Sequence, residues 1–142
     1  MGLFGRKRPQ LEHPFFGTLT WMDGYWEGEL TVEGVPERVG LVVPAPETGP
    51  VEAQAAFCRS VLNDLDGLFT RCRPVFEGDF EEWSGKPFPT DWRSEFSLVG
   101  LGLPERGDDL RPWDVCYFVD AANHYFTAYF EGGRAAYLTV DG

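Results

Sequence analysis

The stretch VEAQAAFCRSVLNDLDGLFTRC, residues Val51 to Cys72, places apolar side chains at Val51, Ala55, Cys58, Leu62, Leu65, Phe69 and Cys72. The steps alternate between four and three, the spacing of one stripe along a helix. Pro50 stands where proline is tolerated in a first turn. Glu52 near the start and Arg71 and Arg73 near the end complement the helix dipole. The spacing predicts one helix over about 50–73, with Leu62, Leu65 and Phe69 buried. Pro74 ends this helix or begins a second, for which Val75, Phe76, Phe80 and Trp83 have amphipathic spacing, weakened by Gly78. No other part of the chain reads as a long helix.

Outward from the helix, both flanks read as strands and turns. Before it, Phe15–Trp21, Tyr25–Val32 and Glu37–Val43 form a three-stranded meander, with Asp23-Gly24 and Glu33-Gly34 as turns. In the second strand Trp26, Gly28, Leu30 and Val32 alternate with Tyr25, Glu27, Glu29 and Thr31, so one face looks inward and the other meets water. After a loop at Ser84–Asp91 come four more strands: Arg93–Leu103, Trp113–Val119, Tyr125–Glu131 and Ala135–Val140. Gly100 and Gly102 mark a bulge or a close backbone approach. The segment Pro104–Pro112, rich in Asp, Glu and Arg, reads as an exposed, mobile loop. The expected class is α+β: an antiparallel sheet of a three-strand meander and four further strands, with the long helix packed on one face.

The register of the last hairpin decides which aromatic residues share a face. A three-residue loop, Glu131-Gly132-Gly133, puts Phe126, Phe130, Ala136, Leu138 and Val140 on one side. Tyr125, Thr127, Tyr129, Tyr137 and Thr139 then fall on the other. Extended across the 120–124 turn, this register adds Cys116 and Phe118 to the phenylalanines, and Trp113, Val115, Tyr117 and Val119 to the tyrosines. The expected partner-binding surface is therefore Trp113, Tyr117, Tyr125, Tyr129 and Tyr137, since Tyr and Trp suit surfaces that are covered only part of the time.

The length of 142 residues is that of one domain, which is assigned to 12–142 behind a flexible basic tail at 1–11. In the tail Arg6, Lys7 and Arg8 face no acids. Beyond residue 10, nine basic side chains stand against 23 acidic ones, a balance of −14. Such a surface repels phosphate backbones, which argues against nucleic acid and is compatible with a basic protein partner. The three cysteines include no CxxC pair. Cys58 and Cys72, about 21 Å apart on one helix, cannot bridge each other. This usage fits a reducing compartment, and the expected location is cytoplasmic. The Met1–Pro9 segment is too short in apolar residues for a signal peptide or a span, and Arg6 occupies the position where myristoylation wants Ser or Thr. No stable membrane insertion is expected.

Catalytic motifs are missing. The chain has no GxGxxG, P-loop, GxSxG or HExxH pattern. Its two histidines, His13 and His124, have no second ligand at metal spacing. Acid pairs such as Glu27 with Glu29, Glu81 with Glu82 and Asp108 with Asp109 read by default as solvated faces in a chain this acidic. Cys72, between Arg71 and Arg73, has cations beside it that favour a thiolate, yet it continues the buried stripe at a helix C-terminus and reads as a packed thiol. No catalytic residue, metal or cofactor is assigned.

His13-Pro14-Phe15-Phe16-Gly17-Thr18-Leu19, followed by Trp21 and Trp26-Glu27-Gly28, resembles the opening of a group of bacterial domains of unknown function. The order of a central helix and terminal strands ending in Thr139-Val140-Asp141-Gly142 is similar to that group as well, so the resemblance covers roughly 12–142. Some relatives of this kind are taken to be immunity proteins that neutralise bacterial toxins. The resemblance carries over no catalytic residues. It implies a non-enzymatic protein-binding module, immunity-like against a basic toxin domain or self-associating. The alternative is a small carboxylate-dependent hydrolase or ligand-binding enzyme with a cleft near residues 76–92.

Overall fold

Asn63 and Asp64 interrupt the run that reads as one helix. In the computed structural model, which describes residues 7–142, α1 spans Glu52–Leu62 and α2 spans Leu65–Ser84. The cause is a local cap. The Asp64 carboxylate accepts the Gly67 N–H at 2.9 Å and starts a new helix, and a Cβ on residue 67 would collide with that carboxylate. The break shifts the phase of the stripe, so α2 buries Leu68, Phe69, Cys72, Phe76 and Phe80. Leu62 and Leu65, expected in the core, are only partly buried.

Pro74 does not end a helix; it lies within α2. Proline there removes one i to i−4 hydrogen bond and costs about 3 kcal/mol. Cys72 and Phe76, both fully buried on either side of it, offset that cost by holding the two turns against the core. The helix stops where Gly85 takes the left-handed conformation at φ 69° and its N–H bonds to the Glu81 carbonyl.

Eight strands lie in sequence order in one sheet: β1 Gln10–His13, β2 Gly17–Trp21, β3 Trp26–Leu30, β4 Val39–Val43, β5 Phe96–Gly102, β6 Trp113–Val119, β7 His124–Glu131 and β8 Arg134–Asp141. All neighbours are antiparallel except β4 and β5, which run parallel because both helices fill the connection between them. The protein is thus α+β, with a mostly antiparallel sheet and two helices. The first strand was not foreseen. It takes Gln10 and Leu11 out of the segment read as a tail and pairs them with Thr20 and Leu19; residues 1–6 lie outside the described part.

One face of the sheet, the inner face, carries the buried side chains, including Val39, Leu41 and Val43 of β4 and Val115 and Tyr117 of β6. The rings of α2 meet it directly. Phe76 stacks on Phe96 at 5.6 Å and meets Tyr117 edge-on at 5.6 Å, and Phe69 meets Tyr117 at 5.6 Å. The segment after α2 joins the same cluster through Phe88 and Trp92, each against Phe69. Asp66 accepts hydrogen bonds from Trp92 Nε1 at 2.8 Å and Arg93 at 2.6 Å, which hold its carboxyl below the usual range and tie the start of α2 to the strand that follows.

Two further joints fix the elements. Gln54, 1% exposed, accepts the Val51 N–H at 3.1 Å and donates to the carbonyls of Pro44 at 2.7 Å and Pro104 at 3.3 Å. It thereby binds α1 to the ends of both parallel strands. Arg71 donates to both Asp109 oxygens at 3.2 Å and to the Gly133 carbonyl at 2.9 Å. Its guanidinium also lies 5.2 Å over the Trp113 ring and 5.0 Å over Phe130. The Pro104–Pro112 segment is therefore pinned at Asp109 rather than free along its length, although Leu110 at its tip is 69% exposed.

Candidate functional site

The hairpin turn that was to gather the aromatic residues divides them. Val119 pairs with His124, which leaves four residues in the β6–β7 turn and sets odd positions of β6 beside even positions of β7. The sequence reading carried an odd-length loop across this turn and inverted the parity of β6. Trp113 pairs with Phe130 and Tyr117 with Phe126, so both are core residues, 2% and 1% exposed. Tyr125, Tyr129 and Tyr137 stay together on the opposite, outer face, joined there by Phe118 and Cys116.

The β7–β8 hairpin reaches the expected grouping by another route. Its turn is the two-residue Gly132-Gly133, with φ of 62° and 85°, and Glu131 pairs with Arg134. A bulge then restores the parity, because Phe130 pairs with Ala135 while Tyr129 pairs with Tyr137 and Ala136 is the extra residue. Ala135, not Ala136, shares the phenylalanine face.

Trp113 is fully used by the core. It stacks on Phe130 at 3.9 Å and donates its Nε1–H to Asp109 at 2.8 Å. Tyr117 is less well satisfied. Its buried hydroxyl has no hydrogen-bond partner within reach by geometry, and the Cys72 thiol beside it is a weak substitute. A buried polar group without a partner costs about 1–3 kcal/mol, so Tyr117→Phe should leave stability unchanged or raise it by about 1 kcal/mol. Urea unfolding reads this directly, and a clear loss of stability would show that the hydroxyl is bonded in solution.

The outer face is built from rows of residues directly opposite one another. One row runs Thr20, Glu27, Val42, Gly102, Asp114, Tyr129 and Tyr137 across β2 to β8. The next runs Glu29, Gly40, Gly100, Cys116, Thr127 and Thr139. In the middle of the sheet glycine takes the place of several side chains, and a trough of about 810 Å³ opens over β2 to β6. Gly102 has a specific reason to be glycine: a Cβ there would sit 2.6 Å from Asp114 Oδ2. A second irregularity lies beside it, since Leu98 pairs with Tyr117 and Gly100 with Cys116, which leaves Val99 as the extra residue of a bulge.

The rim of the trough is acidic on one side and mixed acidic and aromatic on the other. Burial raises the Asp114 carboxyl above its usual range, and among the described residues it makes no hydrogen bond or ion pair. Arg38 approaches Glu29 at 3.7 Å, but both side chains are largely in solvent and the pair is weak. Beyond Asp114 the aromatic patch begins: Tyr129 and Tyr137 stack at 4.8 Å with planes 11° apart, and Phe118 meets Tyr125 at 5.1 Å. Tyr125 and Tyr137 are 43% and 48% exposed.

The thiols and histidines serve structure. Burial pushes both Cys58 and Cys72 up to about 12, and for Cys72 it outweighs the neighbouring Arg71. Cys116 is also raised by burial, though it is the cysteine left partly open. His13 Nδ1 accepts the N–H groups of Phe15 and Phe16 at 3.0 and 3.1 Å, and His124 Nδ1 lies 2.8 Å from the Ala122 carbonyl. Among the described residues no three His, Cys, Asp or Glu side chains gather as metal ligands, and no helix is long and apolar enough to cross a membrane.

Set against known proteins, the chain matches no family model, no curated protein and no solved structure. The site rests on its own geometry. Sequence reasoning missed Glu27, Glu29 and Asp114 as members of one surface with the tyrosines. The signal that could have found them is Gly40 on one strand with Gly100 and Gly102, two apart, on its neighbour, which marks a face sparse in side chains at its centre.

Proposed function

We propose that the protein is a non-enzymatic binding module of the immunity type, whose outer sheet face receives a basic protein such as a toxin domain. The observation that carries this reading is the stacked pair of partly buried Tyr129 and exposed Tyr137 in the same row as Asp114. Rigid aromatic rings beside unpaired carboxylates are what a partner interface uses for anchoring and for steering. The balance of −14 beyond residue 10 favours a basic partner over an acidic one.

The hydrolase alternative draws less support. The 76–92 segment spends Phe76, Phe80 and Phe88 on the aromatic core.

Tyr137→Ala tests the module. It should weaken association with a captured basic partner by about 1–2 kcal/mol, while stability changes by less than about 1 kcal/mol, the worth of one cross-strand pair. Affinity capture followed by calorimetry gives the first value, and sedimentation of both proteins tells a second copy from a different protein. Unchanged affinity in the variant would remove the tyrosines from the interface.

A further inference from the structure

We propose that the glycine-floored trough on the outer face is the seat of a single basic segment of the partner, lying along β4 and β5 with cationic side chains on both flanks. This rests on the binding-module reading and specifies its footprint. The register places Glu27 and Glu29 of β3 on one wall and Asp114 of β6 on the other, with Gly40, Gly100 and Gly102 between them. Val42 is the side chain that rises from the floor in the Glu27 row, and it is exposed.

Width decides the kind of occupant. Glu27 and Asp114 stand on strands three spacings apart, about 14 Å at the backbone, and the Asp114 carboxylate leans back over Gly102, which narrows the space between them. One extended segment fits the narrowed space beside Val42 and sends charges to both sides. A volume of about 810 Å³ is that of a segment rather than a single side chain. Charge decides its composition. Among the described residues Asp114 has no cation of its own and Glu29 has only the loosely placed Arg38, and an acidic occupant would face repulsion from both walls. Arginine is the better fit of the two cations, since its flat guanidinium lies against exposed glycine peptide planes and is less hydrated than an ammonium group. Tyr129 and Tyr137 continue the Asp114 row beyond the trough and would grip the body of the partner next to the seated segment.

Cys116 lies on the floor and reports on this site, because Cys58 and Cys72 are fully buried. The test measures its modification by ammonium-bearing, neutral and sulfonate-bearing methanethiosulfonate reagents, each referred to its rate with a free thiol. The ammonium reagent should react at least ten-fold faster than the sulfonate reagent, and Glu27→Gln with Asp114→Asn should bring the ratio close to one. Nona-arginine should slow modification of Cys116 and shift the amide signals of Gly40, Gly100 and Gly102, while nona-glutamate does neither. Equal rates for the two charged reagents, or nona-arginine signals confined to other acidic surfaces such as Asp79–Glu82, would overturn the proposal. If nona-arginine leaves Cys116 unprotected while Tyr137→Ala still weakens partner capture, the trough is withdrawn and the tyrosine anchor stands. If the trough results hold and Tyr137→Ala has no effect, the footprint is confined to the trough and the tyrosine reading falls.

Discussion

Phe76→Ala should lower the stability of the fold by about 3–5 kcal/mol, the range for removing a large ring from a packed core. Phe76 has no exposed surface and touches rings from three directions: Phe69 on its own helix, Phe96 on β5, and Tyr117 and Phe126 on β6 and β7. Truncation leaves a void lined by side chains that are already locked by one another, so little of it can collapse. Domains of this size hold only about 5–15 kcal/mol in total, and the variant should unfold at much lower denaturant with an unchanged slope. Leu65→Ala is the matched control, because Leu65 is only partly buried and should cost clearly less. A loss below about 1 kcal/mol for Phe76→Ala would mean that α2 does not pack through this ring.

Gln54→Leu should cost about 3 kcal/mol even though it replaces a polar group in the interior by an apolar one of similar size. The amide of Gln54 serves the Val51 N–H and the carbonyls of Pro44 and Pro104 at once. Leucine removes the side-chain partner of the Val51 N–H and the Pro44 carbonyl, while the Pro104 carbonyl keeps the Gly107 N–H, and each buried group left unpaired costs about 1–3 kcal/mol, reduced where water can reach it. Gln54→Glu distinguishes geometry from polarity. It keeps the acceptor for Val51 but puts a charge against two carbonyls, so it should be nearly as damaging at neutral pH and recover in acid, where the protonated carboxyl can donate. Thermal unfolding at pH 4 and pH 7 reads the difference. Equal stability of Gln54→Leu and wild type would show that the ends of β4 and β5 do not depend on this side chain.

The strands were legible because their alternation is local. Trp113–Val119 is found where its pattern placed it, and Trp26, Glu27, Gly28, Glu29 and Leu30 face as their alternation indicates. The helical stripe was legible only in part. Apolar spacing records which residues can share a stripe, but it is blind to the Asp64 carboxylate that closes on Gly67 and restarts the helix half-way along. Pro74 misled in the opposite sense, since its local cost is overridden by the burial of Cys72 and Phe76, and that burial exists only once the sheet is present. The site failed on a single turn. Whether the loop between Val119 and His124 holds an odd or even number of residues inverts the facing of β6, and the apolar side chains of β6, which lie on both faces, do not reveal the error. Asp114, by contrast, is a polar residue in an otherwise apolar strand and points outward in the structure.

The parallel junction between β4 and β5 has a consequence for how the molecule comes apart. Every other pair of neighbouring strands is joined by a connection of ten residues or fewer, whereas both helices lie in the chain between Gly40 and Gly100. Closing so long a loop carries a larger entropy cost than closing the short connections elsewhere in the sheet. Contacts formed after the rate-limiting barrier govern the rate of unfolding more than that of folding. The floor of the trough is this same junction, made of Gly40 and Val42 on one side and Gly100 and Gly102 on the other. A segment that lies along it and binds only the folded state would act as a clamp across the one seam no short connection holds, lengthening the lifetime of the folded state.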